Sequence, residues 1–157
     1  MMIVDLVRND LARTAATGTV KVEEMFGIYT FKTLHQMIST VSSQLDEGQH
    51  FTEAIKMAFP MGSMTGAPKI KVMELTERYE ESKRGIYSGA VGYITPEGDF
   101  DFNVVIRSLL YNRQQRNIAF QVGGAITYDS IPEKEYEECL LKAQGILSAL
   151  AQQNVRQ

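Results

Sequence analysis

"IYSGAVGYITPEGDFDFNVVIRSLLYNRQQRNIAFQVGGAITY", Ile86 to Tyr128, decides the fold class. Two clusters of turn residues cut it, "TPEGD" (95–99) and "NRQQRN" (112–117). The segments around them are rich in β-branched and aromatic residues, so the stretch predicts about three antiparallel strands. Working outward, "TGTVKVEEMFGIYTFKTLHQMISTVSSQL" (17–45) shows rough alternation and reads as two more strands. Helical patterns flank these runs. Ile3, Leu6, Val7 and Leu11 share helical spacing. A short helix is expected from Thr52 to Ala58, with Thr52 and Glu53 supplying a cap and an acidic first turn. A longer helix is expected over 66–83, closed by "SKR" and Gly85. The last helix runs from Pro132 to about Gln152, with Ser130 or Pro132 near its start. Helices and strands do not alternate strictly, so the class is α+β with a mainly antiparallel sheet flanked by helices.

The chain has 157 residues, 44% of them hydrophobic, which suits one domain or a large piece of one. Its net charge of −3 and the lack of a Lys/Arg run speak against a nucleic-acid partner. The apolar runs are too short for a membrane span, and no leader is expected. One cysteine, Cys139, excludes an internal disulfide framework and fits a reducing cytoplasm. With only His35 and His50 besides, no Cys/His zinc site is expected.

"FPMGSMTGAPK" (59–69) places two glycines, two hydroxyls, a proline and Lys69 at the mouth of the predicted long helix. A lysine beside the positive end of a helix is unfavourable by a few tenths to about 1 kcal/mol. An anion would offset that cost, and helix starts suit anions. A nucleotide-binding P-loop fails on spacing, because Pro68 precedes Lys69 and Ile70 follows it. Two readings stay open: a glycine-rich turn with a cap, or an anion site whose anion is a carboxylate.

In "PEKEYEECLLKAQGIL" (132–147), Glu135, Glu138 and Lys142 stand at i, i+3 and i+7, on one side of a helix. Such carboxylates either hold a hard cation through oxygen, or form a solvated face with Glu138–Lys142 as an ordinary pair. Arg107 in "NVVIRSLL" is expected inside an apolar strand, where its fork would face a carboxylate in a cleft or water at an edge. "VGGAI" (122–126) reads as a strand with a bulge or a close backbone approach. Tyr87 offers a phenol. His35 is by itself an ordinary surface or core histidine.

Taken together, "MIVDLVRNDLAR", "LHQMISTVSSQL", "FPMGSMTGAPKIKVMEL", "RGIYSGAVGYI", "DFNVVIRSLL" and "VGGAITYDSIPEKEYEECLLKA" resemble the chorismate-utilising enzymes, in family order along nearly the whole chain. The pattern is more similar to the aminodeoxychorismate synthase branch than to the anthranilate synthase branch. A non-catalytic binding or assembly domain is the alternative outside enzymes.

The resemblance implies a synthase exchanging the 4-hydroxyl of chorismate for an amino group, toward para-aminobenzoate and folate, with ammonia supplied by a glutamine amidotransferase partner. It implies Mg2+ at Glu138, with Glu135 in the same metal site, directly or through water. Ser63 would help bind the ring carboxylate, with Lys142 close to it. Tyr87, Arg107 and the backbone at Gly123, Gly124 and Ala125 would grip the pyruvyl carboxylate, and His35 would lie beside the ring. Cys139 and Ala125 stand where the family often has threonine and glycine. The resemblance covers only about the C-terminal third of such enzymes. A further acidic Mg2+ ligand and the nucleophilic lysine motif of this branch are expected upstream of Met1. Residues 1–157 are thus expected to be the C-terminal part of a chorismate-binding domain. Little activity is expected from the chain alone, and its uncovered apolar surface is expected to drive self-association.

Overall fold

In the computed structural model, which describes residues 1–32 and 34–153, the chain forms two units, Met1–Glu81 and the segment from Ser82 onward. The first unit begins with α1 (Met2–Ala12), whose apolar positions follow the 3.6-residue period. Next comes an antiparallel hairpin of β1 (Lys21–Thr30) and β2 (His35–Ser42). Its register slips twice, between Val22 and Gly27, and Phe26 takes a φ of 60°. The kink lets Glu24 fold over Gly27 and accept a 2.7 Å hydrogen bond from the Tyr29 hydroxyl. A Cβ on Gly27 would lie 2.1 Å from that carboxylate, so a side chain there would push the Glu24 carboxylate aside.

Three helices complete this unit: α2 (Phe51–Ala58), α3 (Gly62–Thr65) and α4 (Lys69–Tyr79). Helix α1 packs against β2, α2 and α3. The approach to α3 is close, since a Cβ on Gly62 would lie 2.5 Å from Leu6 Cδ2. Helix α2 starts earlier than expected. His50, not Thr52, is its cap, with Nδ1 accepting the Thr52 N–H, because Phe51 is already helical.

The helix expected over 66–83 is also different. Gly66 has a φ of 119° and Pro68 is extended, so the chain breaks between α3 and α4, and Pro68 caps α4 rather than entering its first turn. Helix α4 stops at Tyr79, well before Gly85. The following "EESKR" has no apolar residue to bury, which removes the tertiary support a short helix needs.

In the second unit, both turns expected from the sequence join hairpins: β3 (Ala90–Ile94) with β4 (Phe100–Val104), and β5 (Leu110–Asn112) with β6 (Asn117–Ala119). Four short strands replace the expected three. Arg107 is not inside a strand. Ladder-like bonds continue only to Val105, which exchanges hydrogen bonds with Ser88 and Gly89. Ile106 N–H then turns back to Val104 O, and Arg107 takes a φ of 51°. The opposing chain leaves the pairing at the same level, where Ser88 has a φ of 68°. The "VGGAI" segment is likewise irregular rather than a strand, in keeping with the weak strand preference of paired glycines. Helix α5 (Pro132–Gln153) closes the unit as expected. All three pairings are antiparallel and helices accompany them, so the class is α+β.

Few side chains are buried. Among the described residues the buried apolar set is Val105, Ala143 and Ile146. The accessible surface is 12719 Å². A single globule of this size exposes about 7,900 Å², and two separate half-size globules about 9,500 Å². Apolar faces inside each unit therefore lack a cover. Ile28 and Met37 of the first hairpin are 64% and 59% exposed, and Ile70 of α4 is 73% exposed.

Candidate functional site

The lysine at the mouth of α4 has a partner within its own unit. Lys69 Nζ donates to Asp10 Oδ2 of α1 at 2.5 Å, with side chains only 15% and 7% exposed. The carboxylate anticipated beside Lys69 is thus an internal one. It stabilises the positive helix start and ties α1 to α4. Ser63, on α3, is exposed. His35 is the first residue of β2, exposed, and its Nδ1 lies 3.1 Å from Thr30 Oγ1.

The second unit gathers most of the other candidates. Lys142 Nζ pairs with Glu138 Oε1 at 2.5 Å and donates to the Gly123 carbonyl at 2.9 Å. The ordinary i, i+4 pair is therefore formed, but the lysine also straps α5 to the glycine segment. The two glycines lie against the functional groups. A Cβ on Gly123 would be 3.0 Å from the Tyr87 hydroxyl. One on Gly124 would be 3.1 Å from Glu135 Oε2 and 3.9 Å from Glu138 Oε1. Tyr87 reaches this place from the turn at 85–88, held by its N–H to Arg84 O. Tyr87, Gly123, Gly124, Glu135, Glu138 and Lys142 thus form one cluster.

Ala125 follows in the same exposed backbone. Arg107 is exposed, and no hydrogen bond or ion pair joins it to the cluster among the described residues. Glu135 Oε2 and Glu138 Oε1 are the oxygens nearest Gly124, the latter held by Lys142 Nζ; a hard cation bound by both would take the ammonium's place, with water in its remaining positions. No larger group of His, Cys, Asp and Glu able to hold a metal occurs among the described residues. No helix among them is long and apolar enough to cross a membrane.

Two contributors were not singled out from sequence. Asp10 lies in "RNDLAR", where the helical period is the pattern that stands out. Ser130 reads from sequence as a helix-start residue, yet its Oγ donates to Glu135 Oε1 at 2.6 Å. The available signal was a hydroxyl just ahead of an acidic first turn.

Gly124→Ala tests how tightly the cluster is built. Its backbone is outside the left-handed region, so the fold should survive with a stability change under about 1 kcal/mol. The new methyl must displace the Glu135 carboxylate by a few tenths of an ångström. Thermal unfolding and a crystal structure of the variant check both outcomes.

Comparison with known proteins supplies the family. The profile of the chorismate binding enzymes matches residues 1–148, and the chain belongs to that family. It is 45% identical over 152 residues to an aminodeoxychorismate synthase of Streptomyces pristinaespiralis, covering 97% of this chain and 21% of that protein. It is 41% identical over 150 residues to anthranilate synthase component 1 of Aquifex aeolicus, covering 96% of this chain and 30% of that protein. The crystal structure of anthranilate synthase component I from Streptococcus pneumoniae superposes with a TM-score of 0.78 at 36% identity, over 91% of this chain and 32% of that one. The chain spans less than a third of the length of each of these proteins.

Proposed function

We propose that this chain carries the C-terminal part of the chorismate site of an aminodeoxychorismate synthase, which aminates chorismate with ammonia from a glutamine amidotransferase in the cytoplasm. The observation that carries the reading is the gathering of Glu135, Glu138, Lys142 and Tyr87 around Gly123 and Gly124 in a member of the chorismate-binding family. Anthranilate synthase is the second reading, favoured by the Aquifex relative.

In the proposed site, Glu138 and Glu135 hold Mg2+, which supplies Lewis-acid neutralisation of the substrate carboxylate and of developing charge. Lys142 lies beside Glu138 and offsets its charge. Tyr87 donates its phenol to the second carboxylate of the substrate, and the Arg107 fork binds the same group. Backbone N–H groups at Gly123, Gly124 and Ala125 approach it closely because the glycines have no side chain. Ser63 and His35 belong to the first unit and are assigned to the substrate ring by the family resemblance alone, with no proton transfer given to His35.

The test is a pair of chimaeras. Residues 1–148 replace the matching segment of the Streptomyces pristinaespiralis aminodeoxychorismate synthase or of the Aquifex aeolicus anthranilate synthase component 1. Each is incubated with chorismate, ammonium and Mg2+, and products are resolved chromatographically. Mg2+-dependent aminodeoxychorismate formation by the first, with weak turnover by the second, supports the reading. The reverse favours anthranilate synthase. No turnover by either folded chimaera removes the chorismate assignment.

The uncovered apolar faces lead to a separate expectation for the 157-residue chain by itself. Specific interfaces bury about 1,200–2,000 Å², less than the surplus described above. Sedimentation velocity should show self-association that grows with concentration, and a strict monomer at high concentration would contradict it.

A further inference from the structure

The Ser130 side chain is placed unlike a helix cap. A cap hydroxyl accepts an N–H from the first turn of the helix it starts. Ser130 Oγ instead accepts the N–H of Thr127, upstream, at 2.9 Å. The first intrahelical bond runs from the Glu135 N–H to Ile131 O at 3.1 Å, so Ile131, not Ser130, holds the cap position. A serine hydroxyl has one proton to give. With the Thr127 N–H directed into its oxygen, that proton points to Glu135 Oε1, at 2.6 Å and partly buried. The length falls in the range of hydrogen bonds to an ionised carboxylate. Thr127 Oγ1 lies 3.4 Å from Ser130 Oγ and shares the turn, in which Ser130 N–H also bonds Thr127 O.

From this geometry we infer that Ser130 is the positioning residue of the Glu135 carboxylate, occupying Oε1 so that Oε2 alone is turned toward Gly124 as a single-oxygen ligand for a divalent cation. The inference rests on the metal role proposed above for Glu135 and Glu138. Without the serine proton, the carboxylate rotates freely and its two oxygens compete for the same place. Partners of this kind change metal affinity without touching the metal.

Mn2+ binding is followed by electron paramagnetic resonance in the Streptomyces pristinaespiralis chimaera, which supplies the further acidic ligand expected upstream of Met1, and the Glu135 carboxyl by 13C NMR of the 157-residue chain labelled at the glutamate carboxyl carbon. Glu135→Gln assigns the Glu135 signal. Ser130→Ala is expected to weaken Mn2+ binding about 10-fold and to shift the Glu135 signal in the metal-free chain, while Ser130→Thr restores both. An unmoved Glu135 signal in Ser130→Ala overturns the positioning role. Absence of Mn2+ binding, or binding indifferent to Glu138→Gln and Glu135→Gln, overturns the metal reading instead, and the metal-free signal still decides the role of Ser130. If Ser130→Ala does not fold, Ser130→Cys, with a weaker donor in the same space, takes its place under the same criteria.

Discussion

Asp10→Ala is expected to destabilise the first unit by about 2–4 kcal/mol, a large share of the stability of a domain this small. Removing the carboxylate leaves the Lys69 ammonium 15% exposed, at the positive end of α4 and without its partner. Breaking one side of a buried pair costs more than removing both sides, because the remaining charge keeps its desolvation penalty. Asp10→Ala combined with Lys69→Met should therefore recover most of the loss. Urea unfolding of the single and double variants measures the difference. Equal stability of Asp10→Ala and wild type would mean that Lys69 finds water once its partner is gone.

The second large effect concerns catalysis. In whichever chimaera turns over, Glu138→Gln is expected to lower kcat/KM about 10³-fold, corresponding to roughly 4 kcal/mol of lost transition-state stabilisation. The amide keeps the shape of the side chain but lacks the charge that a cation needs. Stability should barely change, since an exposed i, i+4 pair with Lys142 contributes about 0.3–0.5 kcal/mol. Steady-state kinetics over a range of Mg2+ concentrations, with thermal unfolding as a control, separate the two. A loss rescued by higher Mg2+ identifies weakened metal binding. Unchanged kinetics would remove Glu138 from the site.

Much of this was readable along the chain because it depends on local chemistry. "TPEGD" and "NRQQRN" are turns wherever they occur, and both join hairpins. The i, i+3, i+7 spacing put Glu135, Glu138 and Lys142 on one side of α5 before any tertiary contact was known. Local reasoning went wrong where neighbours decide. Arg107 was expected inside a strand because the residues around it are apolar, yet pairing stops at Val105, where the opposing chain turns at Ser88. The helix expected over 66–83 was extended at both ends, since Gly66 and Pro68 interrupt it and "EESKR" has no face to bury. Ser130 looked like a cap because serine near a helix start usually is one.

The order of turns, glycines and periodic faces alone determined an α+β chain with antiparallel hairpins and an acidic last helix. Those features follow from backbone dihedrals and from spacing over a few residues. Only the tertiary structure decided that Lys69 belongs to Asp10, 59 residues away, and that Gly123 and Gly124 lie against Tyr87 and the α5 carboxylates. Such pairings depend on how separated segments pack, which no local pattern encodes.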